Sequence, residues 1–500
     1  MENLRHRTLS GLGWTGGTQV LGQALQLAIS VILARQLSPR EFGLIGMVLV
    51  FTVLASSLSN MGLGASIIQN RAVSNLHLNS IFWLNITVGS ILTLLFGLAA
   101  PLVASFYDEP AVQLLTVAVA ITIVLNSLNI VQEALLDKSL SFRTKFWVDF
   151  ISISTSGVLA LVMAWAGAGV WCLVGQLICA AAIRVVVMWR MSNWRPGISF
   201  ELSAVKELMQ FGGPLVVYTI INYLGTHFDK LAIGRLMGSS ALGIYNLADR
   251  LMRLPLTNVT GLTHTVMFPA LSAMQEDDDA VKRVYLRANR MIALLTFPMM
   301  IGLSVLAEPA ILVVYGDKWR GTIELVQILC FAGMYQSVCN TAGWIFLSRG
   351  RTDILLRLGI YTAFVRMAGV FVGYRWGVIG IAWAYMLGGY FFICYPTWFA
   401  AGRLIHLRVR DMVRNMVGPL CCATAMGVLI WISDEWVFAE QSKWIRLVVQ
   451  VPCGILVYWF LIQWFQLEAW GDVRMVLLEK GGGRNRFIRW LLSNDSIAKS

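Results

Sequence analysis

Long apolar segments recur along the whole chain and are separated by short polar stretches. About 20 apolar residues suffice to cross the ~30 Å hydrocarbon core of a membrane as an α-helix, which rises 1.5 Å per residue. The pattern predicts about fourteen transmembrane helices, at residues 11–34, 42–66, 80–106, 112–136, 147–166, 169–190, 209–234, 241–271, 290–314, 323–347, 354–373, 377–400, 413–433 and 444–466. We therefore expect an all-α polytopic membrane protein.

The composition supports this prediction and excludes a soluble multidomain protein. Hydrophobic residues make up 57% of the chain and charged residues 13%, whereas soluble domains are about 25% charged. Residues 1–7 form a short basic segment, and no small-residue cleavage site of a signal peptide follows the first apolar run. We therefore expect the first helix to be retained. The eight cysteines all lie in apolar runs without a C-x-x-C spacing, so we interpret them as packing residues.

The distribution of positive charge predicts the orientation. If the N-terminus is cytoplasmic and the helices alternate, 27 of the 39 Lys and Arg residues fall in cytoplasmic segments and 8 in external loops. This bias indicates that both termini are cytoplasmic. It also explains the net charge of +12 through contact with anionic lipid headgroups, so we predict membrane lipids, and no nucleic acid, as partners.

An internal repeat organises the chain. The segment "LARQLSPREFGLIG" at 33–46 aligns without gaps on "IGRLMGSSALGIYN" at 233–246. The matched pairs are Gly13 and Gly213, Arg35 and Arg235, Gly43 and Gly243, Pro101 and Pro309, and Tyr107 and Tyr315. Six helices per copy give both copies the same orientation, as in parallel repeats of transporters.

The repeat predicts four parts. A six-helix lobe at 1–205 and a second at 206–400 are followed by two extra helices within 401–466 and a cytoplasmic basic tail at 467–500. The extra helices are either lipid-contacting or without a specific role. The tail, with a triple glycine before Arg, Phe, Trp and Leu residues, either lies on the membrane surface or is a frayed terminus.

The stretch "INYLGTHFDKLAIGRLMG" at 221–238 carries polar groups inside an apolar helix. A charged side chain at a helix centre costs roughly 2.5–3.5 kcal/mol on insertion scales. Such residues mark functional sites by default. The candidate cavity residues of the predicted seventh, eighth and eleventh helices are Asn222, Asp229, Lys230, Asn246, Asp249, Arg250, Arg253 and Arg366.

Two interpretations of these residues stay open. In the first, the carboxylates form structural pairs with cations, such as Asp229 with an arginine, and Asp249 with Lys230 or with Arg253 at i,i+4. In the second, the residues line a wet cavity for a polar or anionic cargo. Basic groups exceed acidic ones by four to two, which favours the cavity. His227 is either a polar contact or a residue that couples transport to protons.

Signs of catalysis are few. The chain has no G-x-x-x-x-G-K-[ST] phosphate loop. The acidic run "EDDD" at 276–279 is a solvated loop or, less in keeping with its surroundings, a magnesium site. Trp83 and Trp344 either belong to the general population of membrane tryptophans or stack on sugar rings. We expect neither an enzyme nor a cofactor or metal.

The chain resembles a known family in several segments. They are "SPREFGLIGMVLVFTVLASSLSNMGLGASIIQ", "FGGPLVVYTIINYLGTHFDKLAIGRLMGSSALGIYNLADRLMRLPL" and the "PALS" at 269–272. Over residues 5–410 these are similar to polysaccharide exporters of the Wzx type, in the colanic-acid and exopolysaccharide branch.

The resemblance implies two six-helix lobes around a central cavity. It also implies a cargo, an undecaprenyl-pyrophosphate-linked oligosaccharide, that is moved from the cytoplasmic to the periplasmic leaflet of the bacterial inner membrane for exopolysaccharide or lipopolysaccharide export. Polysaccharide polymerase and export machinery would be its partners, and the charged residues of the seventh and eighth helices would line the cavity.

One departure affects the coupling ion. Multidrug antiporters of the same superfold often place an acidic cation site in the first lobe, but no Asp or Glu lies between Leu9 and Leu33. The alternatives are a cation-coupled exporter of small amphiphiles with the same fold and a membrane enzyme of glycan assembly.

Overall fold

The computed structural model describes residues 21–60, 64, 66–67, 73–139, 141–465 and 470–471. These residues fold almost entirely into helices, and the described part contains no β-strand. The predicted basic tail, apart from 470–471, and the predicted start of the first helix lie outside the described residues.

The helices follow one another with short connections. They are α1 (21–36), α2 (Pro39–Asn60), α3 (Asn75–Tyr107), α4 (Ala111–Ser127), α5 (Ile130–Lys138), α6 (Phe142–Trp165), α7 (Trp171–Met191), α8 (Leu202–Ala273), α9 (Asp278–Val305), α10 (Ala307–Val314), α11 (Thr322–Cys339), α12 (Ala342–Ser348), α13 (Thr352–Gly373), α14 (Gly377–Gly388), α15 (Tyr395–Leu404), α16 (Val409–Trp436) and α17 (Lys443–Trp464). Two 3₁₀ turns lie at Asp317–Trp319 and Tyr374–Trp376, and a π-helical turn at Gly389–Cys394 joins α14 to α15.

The fold class is confirmed, and fourteen helical segments of the described chain correspond to the fourteen predicted ones. Nine stretches of the described residues are individually long and apolar enough to cross a membrane, and a tenth is α4 with α5, which meet at a bend of 44°. Helix α8 contains the predicted seventh and eighth helices, divided at Gly238, where φ is +84°. A positive φ is readily adopted by glycine, which has no Cβ.

Helix α3 shows why these helices belong in a membrane. Its buried residues include Asn79, Ser80 and Asn85, while Leu98 and Leu102 are 77% and 72% exposed. An apolar surface over a partly polar interior is the arrangement expected where lipid surrounds the helices. The protein is therefore a multi-pass membrane protein.

The chain forms two compact units. The first comprises residues 1–248, 314–322 and 359–381, and the second comprises 249–313, 323–358 and 382–500, as far as these are described. This division by contacts crosses the repeat boundary near residue 205, and the two-lobe division stays a prediction.

In the first unit, α6 packs along α7 and α3 along α4, while α2 and α7 also contact α4. The segment 314–322 docks on the end of α1, where the indole nitrogen of Trp319 donates a 2.8 Å hydrogen bond to the carbonyl oxygen of Ala34.

In the second unit, the two helices beyond the repeat pack on α9. The amide of Asn415 on α16 donates a 2.7 Å hydrogen bond to the carbonyl oxygen of Leu286. The hydroxyl of Tyr458 on α17 donates a 2.9 Å hydrogen bond to the carbonyl oxygen of Leu294. Helices α16 and α17 are therefore part of this unit.

Candidate functional site

Helix α8 positions most of the polar candidate residues on either side of its break at Gly238. Asp229 lies nine residues before the break, so it is ~13 Å from that end at 1.5 Å per residue. The sequence pattern predicted that this helix ends near residue 234, closer to Asp229 than the observed break at Gly238. The longer helix places Asp229 and Lys230 further from the helix end than predicted.

Asp229 is a buried acid in the first unit. Its residue is 7% exposed. The hydroxyl of Tyr245, beyond the break, donates a 2.5 Å hydrogen bond to Oδ2, and the backbone N–H of Lys230 donates a 2.8 Å hydrogen bond to Oδ1. A buried charge is tolerated only when it is paired or hydrogen-bonded. The two halves of α8 are thus linked through a carboxylate that the hydroxyl of Tyr245 helps to satisfy.

A second group joins α8 to α13. The guanidinium of Arg366 donates a 3.1 Å hydrogen bond to the hydroxyl of Thr226. The helices approach closely here, because a Cβ atom at Gly225 would lie 2.4 Å from the Cβ of Ala363. Arg366, the candidate in the predicted eleventh helix, therefore has a partner on α8.

His227 lies beside Tyr223 on the same helix. Their ring centroids are 4.4 Å apart, and the hydroxyl of Tyr223 donates a 2.8 Å hydrogen bond to the carbonyl oxygen of Val50. Both rings are partly buried. This arrangement places His227 in an aromatic and polar environment and leaves its proposed coupling role a prediction.

Asp249 and Arg253 form an ion pair in the second unit. The Nε atom of Arg253 lies 2.9 Å from Oδ1 and 3.0 Å from Oδ2 of Asp249. The carboxylate side chain is 6% exposed and the arginine side chain 33%. The i,i+4 spacing indicated this pair, and the structure forms it with the acid buried and part of the arginine side chain accessible.

The remaining candidates are placed differently. Asn222 is exposed, and Arg250 is partly buried. Asn246 contacts α2, since a Cβ atom at Gly46 would lie 2.4 Å from its Nδ2 atom. The described structure thus connects Asp229 to Lys230, and Asp249 to Arg253. Tyr245, which contacts Asp229, and Thr226, which contacts Arg366, were not recognised in the sequence because neither carries charge.

The repeat-related starts of α2 and of the second half of α8 contact each other reciprocally. A Cβ atom at Gly43 would lie 1.7 Å from the carbonyl oxygen of Ser239, and one at Gly243 would lie 1.9 Å from that of Pro39. Residues 39 and 43 correspond to 239 and 243 in the repeat. Such exchange of partners is what a two-fold relationship produces.

The acidic run at 276–279 has structural partners. Asp277 caps α9, because its Oδ1 accepts a 2.9 Å hydrogen bond from the backbone N–H of Ala280. Asp278 pairs with Arg349. Among the described residues, no group of three or more His, Cys, Asp or Glu is arranged to hold a metal ion. Of the two tryptophans considered for stacking on sugars, Trp344 is buried and Trp83 is bonded to the carbonyl oxygen of Gly197.

Solved structures share this fold. A lipid II flippase, MurJ, in an inward closed conformation superposes with a TM-score of 0.75 at 14% identity, over 90% of this chain and 98% of that chain. An inward-facing multidrug resistance transporter of the MATE family has a TM-score of 0.57 at 15% identity, over 76% of this chain and 95% of that chain.

Curated proteins are similar over most of the chain. The teichuronic acid biosynthesis protein TuaB of Bacillus subtilis is 26% identical over 96% of this chain and 99% of its own length. The lipopolysaccharide biosynthesis protein WzxC of Escherichia coli is 28% identical over 77% and 79%, and the succinoglycan biosynthesis transport protein ExoT of Rhizobium meliloti is 28% identical over 66% and 67%.

A family of polysaccharide biosynthesis proteins matches residues 32–324, which is more than half of the chain and includes α2 through α10 and most of the polar candidates. The resemblance to Wzx-type exporters read from the sequence is confirmed by these matches, and the chain belongs to the polysaccharide biosynthesis protein family.

Proposed function

We propose that this protein is a flippase that moves a lipid-linked oligosaccharide, built on undecaprenyl pyrophosphate, from the cytoplasmic to the periplasmic leaflet of a bacterial inner membrane. The observation that carries the proposal is the ion pair of Asp249 and Arg253 in an apolar helix of a polysaccharide biosynthesis protein. The names of ExoT, a transport protein, and of the MurJ lipid II flippase, which shares the fold, support it.

The charge balance of the candidate residues suits such a cargo. Lys230, Arg250, Arg253 and Arg366 outnumber Asp229 and Asp249 by two. A pyrophosphate is anionic and forms charge-assisted hydrogen bonds with guanidinium groups. Pairing with Asp249 holds Arg253 in place while about a third of its side chain stays accessible. Arg253 is therefore positioned to contact an anion without moving its partner.

The orientation is part of the proposal. The excess of Lys and Arg in alternate loops supports a cytoplasmic location for both termini. The cargo would then enter at the basic side, its lipid tail remaining in the bilayer while its polar part crosses beside α8. The two predicted six-helix lobes, 1–205 and 206–400, would alternate between states open to either side. Polysaccharide polymerase and export machinery would receive the product.

We propose that the protein translocates its cargo without making or breaking covalent bonds. The name of ExoT, a transport protein, is consistent with this activity. The MATE-type fold supports one alternative, a cation-coupled exporter of small amphiphiles. A membrane enzyme of glycan assembly is the other alternative. The flippase, the exporter and the enzyme would act on different substances, so loss of the protein should have a different effect in each case.

The test uses a host strain that lacks the protein, with undecaprenyl-pyrophosphate oligosaccharide extracted and resolved by leaflet. We expect the complete repeat unit to accumulate on the cytoplasmic side and to return to normal when the wild-type gene is restored. An unchanged pool with altered drug susceptibility would favour the small-amphiphile exporter. Lipid-linked chains of altered length with normal flipping would favour the enzyme.

A further inference from the structure

A concentration of positive charge lies in the second unit, where α15 is followed by α16. Residues 403–414 contain four arginines and a single acid, Asp411, which leaves an excess of three positive charges with His406 neutral. All four arginines are exposed, and none of them forms an ion pair with a residue that the structure describes. We name them the α15–α16 arginine cluster; its members are Arg403, Arg408, Arg410 and Arg414.

Other cations on the predicted cytoplasmic side are neutralised within the fold. In the first unit, Lys145 lies 2.7 Å from a carboxylate oxygen of Asp137. In the second unit, Arg349 pairs with Asp278. Basic segments next to a membrane are attracted to the anionic lipids of its cytoplasmic leaflet. The α15–α16 arginine cluster is therefore available to an anion outside the protein.

The turn that carries the cluster is held in one conformation by its own packing. Ile405 and Leu407 are 1% and 4% exposed. Their backbone N–H groups both donate hydrogen bonds to the carbonyl oxygen of Gly402, at 3.3 and 2.9 Å. A Cβ atom at Gly402 would lie 2.2 Å from the carbonyl oxygen of Leu407. The backbone between the arginines is thus ordered in advance, which lowers the entropic cost of binding a ligand.

Exposed apolar residues continue from the cluster along α16. One face of this helix, with the spacing i, i+3, i+4 and i+7, is exposed at Arg410, Val413, Arg414 and Val417. Leu420, three residues further along, is 40% exposed. Helix α16 is long and apolar enough to cross a membrane. Its exposed face therefore suits hydrocarbon chains, with two arginines at the end predicted to be cytoplasmic.

Helix α15 carries a similar surface. The rings of Tyr395 and Phe399 are stacked at an interplanar angle of 12°, with centroids 6.4 Å apart. The guanidinium carbon of Arg403 lies 5.6 Å from the ring centroid of Phe399. The two aromatic residues are 59% and 49% exposed. Aromatic rings favour the boundary between hydrocarbon and lipid headgroups, and a cation over a ring stays close to the apolar surface.

These features restrict the chemistry of a ligand in two ways. Guanidinium groups form charge-assisted, bidentate hydrogen bonds with phosphates, so the cluster favours an anionic phosphate group. The exposed apolar residues beside it favour hydrocarbon chains. A free phosphate or a nucleotide meets only the first requirement, and a lipid without net charge meets only the second. A glycerophospholipid with a net negative charge meets both.

We propose that the α15–α16 arginine cluster binds one anionic glycerophospholipid of the cytoplasmic leaflet, such as phosphatidylglycerol. The headgroup phosphate contacts the guanidinium groups, and the acyl chains lie along the exposed face of α16. The bound lipid anchors the start of α16 at the cytoplasmic surface of the bilayer. The site lies in the part of the chain predicted to follow the repeat, contains none of the polar candidates of α8 and α13, and requires no cargo.

The test is equilibrium binding of radiolabelled phosphatidylglycerol to the purified full-length protein, freed of lipid in an uncharged detergent. We expect saturable binding of one molecule per chain. Unlabelled phosphatidylglycerol should displace the label, and phosphatidylcholine with the same acyl chains should not. The double variant Arg410→Gln with Arg414→Gln removes both guanidinium groups from the exposed face of α16, so the half-saturating concentration should rise at least tenfold.

A matched control removes two exposed arginines elsewhere on the predicted cytoplasmic side. Arg143→Gln with Arg190→Gln, in the first unit, lowers the net charge by the same amount and should bind phosphatidylglycerol as the wild type does. Arg410→Lys with Arg414→Lys guards against misfolding, because it keeps both positive charges and should retain most of the binding.

Three results would overturn the proposal. The first is absence of saturable phosphatidylglycerol binding to the wild-type protein. The second is an equal effect of the two glutamine double variants, which would indicate a general attraction to the charge of the protein. The third is displacement of the label by undecaprenyl pyrophosphate at a lower concentration than by phosphatidylglycerol itself, which would assign the site to a prenyl-linked lipid instead.

Discussion

Gly43 and Gly243, at matched positions of the sequence repeat, each press against the backbone of the other's helix. A Cβ atom at Gly243 would lie 1.9 Å from the carbonyl oxygen of Pro39 and 3.1 Å from the backbone nitrogen of Gly43. A Cβ atom at Gly43 would meet the carbonyl oxygen of Ser239 at 1.7 Å. Only hydrogen fits at either position. The sequence repeat therefore includes the small residues that let its two copies touch.

This contact predicts a sharp effect of a single methyl group. Gly43→Ala must displace the backbone at Ser239, because a 1.7 Å approach is far inside van der Waals contact. If the proposed transport requires the close approach of α2 and α8 at this position, flipping should fall at least tenfold. The amount of protein in the membrane should stay normal. Leaflet-resolved lipid-linked oligosaccharide is the measurement.

The control for this variant is Gly97→Ala in α3, where a Cβ atom would meet nothing within 4 Å. It adds the same methyl group to a helix and should leave flipping unchanged. Normal flipping by Gly43→Ala would show that the close approach of α2 and α8 is dispensable for transport.

The ion pair in the second unit separates a structural role from a cargo-binding role. Arg253→Ala removes a charged partner of the buried carboxylate of Asp249, so we expect a loss of stability of about 1–3 kcal/mol. The double variant Asp249→Asn with Arg253→Ala removes that charge as well, so most of the thermal stability should return. We expect flipping to stay low in the double variant, because the guanidinium that would contact the pyrophosphate is absent.

Thermal unfolding of the purified variants and leaflet-resolved lipid analysis provide the two readouts. Arg351→Ala, which breaks the exposed pair with Asp353, is the control and should change neither. Recovery of flipping together with stability in the double variant would assign the pair to structure and remove Arg253 from the proposed site.

The hydroxyl of Tyr245 should matter for stability because it satisfies a buried acid. Tyr245→Phe removes a 2.5 Å hydrogen bond to Asp229 and leaves the carboxylate less well solvated, at a cost of about 1–3 kcal/mol. The midpoint of thermal unfolding should fall by several degrees. Tyr361→Phe in α13, at a residue 38% exposed, makes the same chemical change and should have little effect. Equal midpoints for both variants would contradict the role of Tyr245.

The sequence predicted the helices well because length and apolar content decide whether a segment spans a membrane. It also indicated the pair of Asp249 and Arg253, since an i,i+4 spacing is a local property of one helix. It did not identify Tyr245 as a partner of Asp229, because that contact crosses the break at Gly238 and depends on the angle there.

The ion pairs of Arg184 with Glu133 and Asp149 were not predicted, for a related reason. Arg184 lies inside the predicted helix at 169–190 but is not among the candidate cavity residues. Its partners Glu133 and Asp149 lie on other helices, and nothing in the local sequence pattern brings the three together. Recognising Arg184 as a charge within a helix would have been the available signal.

The contact of Trp319 with Ala34 joins α1 to a segment nearly 300 residues further along the chain. We therefore predict that the stability of the first unit depends on this segment. Its indole N–H donates to the carbonyl oxygen of Ala34 at 2.8 Å, and Arg35 and Lys318 add hydrogen bonds to backbone carbonyls of the same junction. The last carbonyls of a helix have no partner within it. Trp319 and Lys318 therefore complete the end of α1, and Arg35 completes the end of α10.

Trp319→Phe keeps an aromatic ring at a fully buried position but leaves the carbonyl oxygen of Ala34 without its donor. We expect a loss of about 1–3 kcal/mol, measured as a lower midpoint of thermal unfolding. Trp376→Phe, at a residue 68% exposed, should unfold like the wild type. If Trp319→Phe unfolded at the same midpoint as Trp376→Phe, packing of the ring rather than the N–H hydrogen bond would hold segment 314–322 against α1.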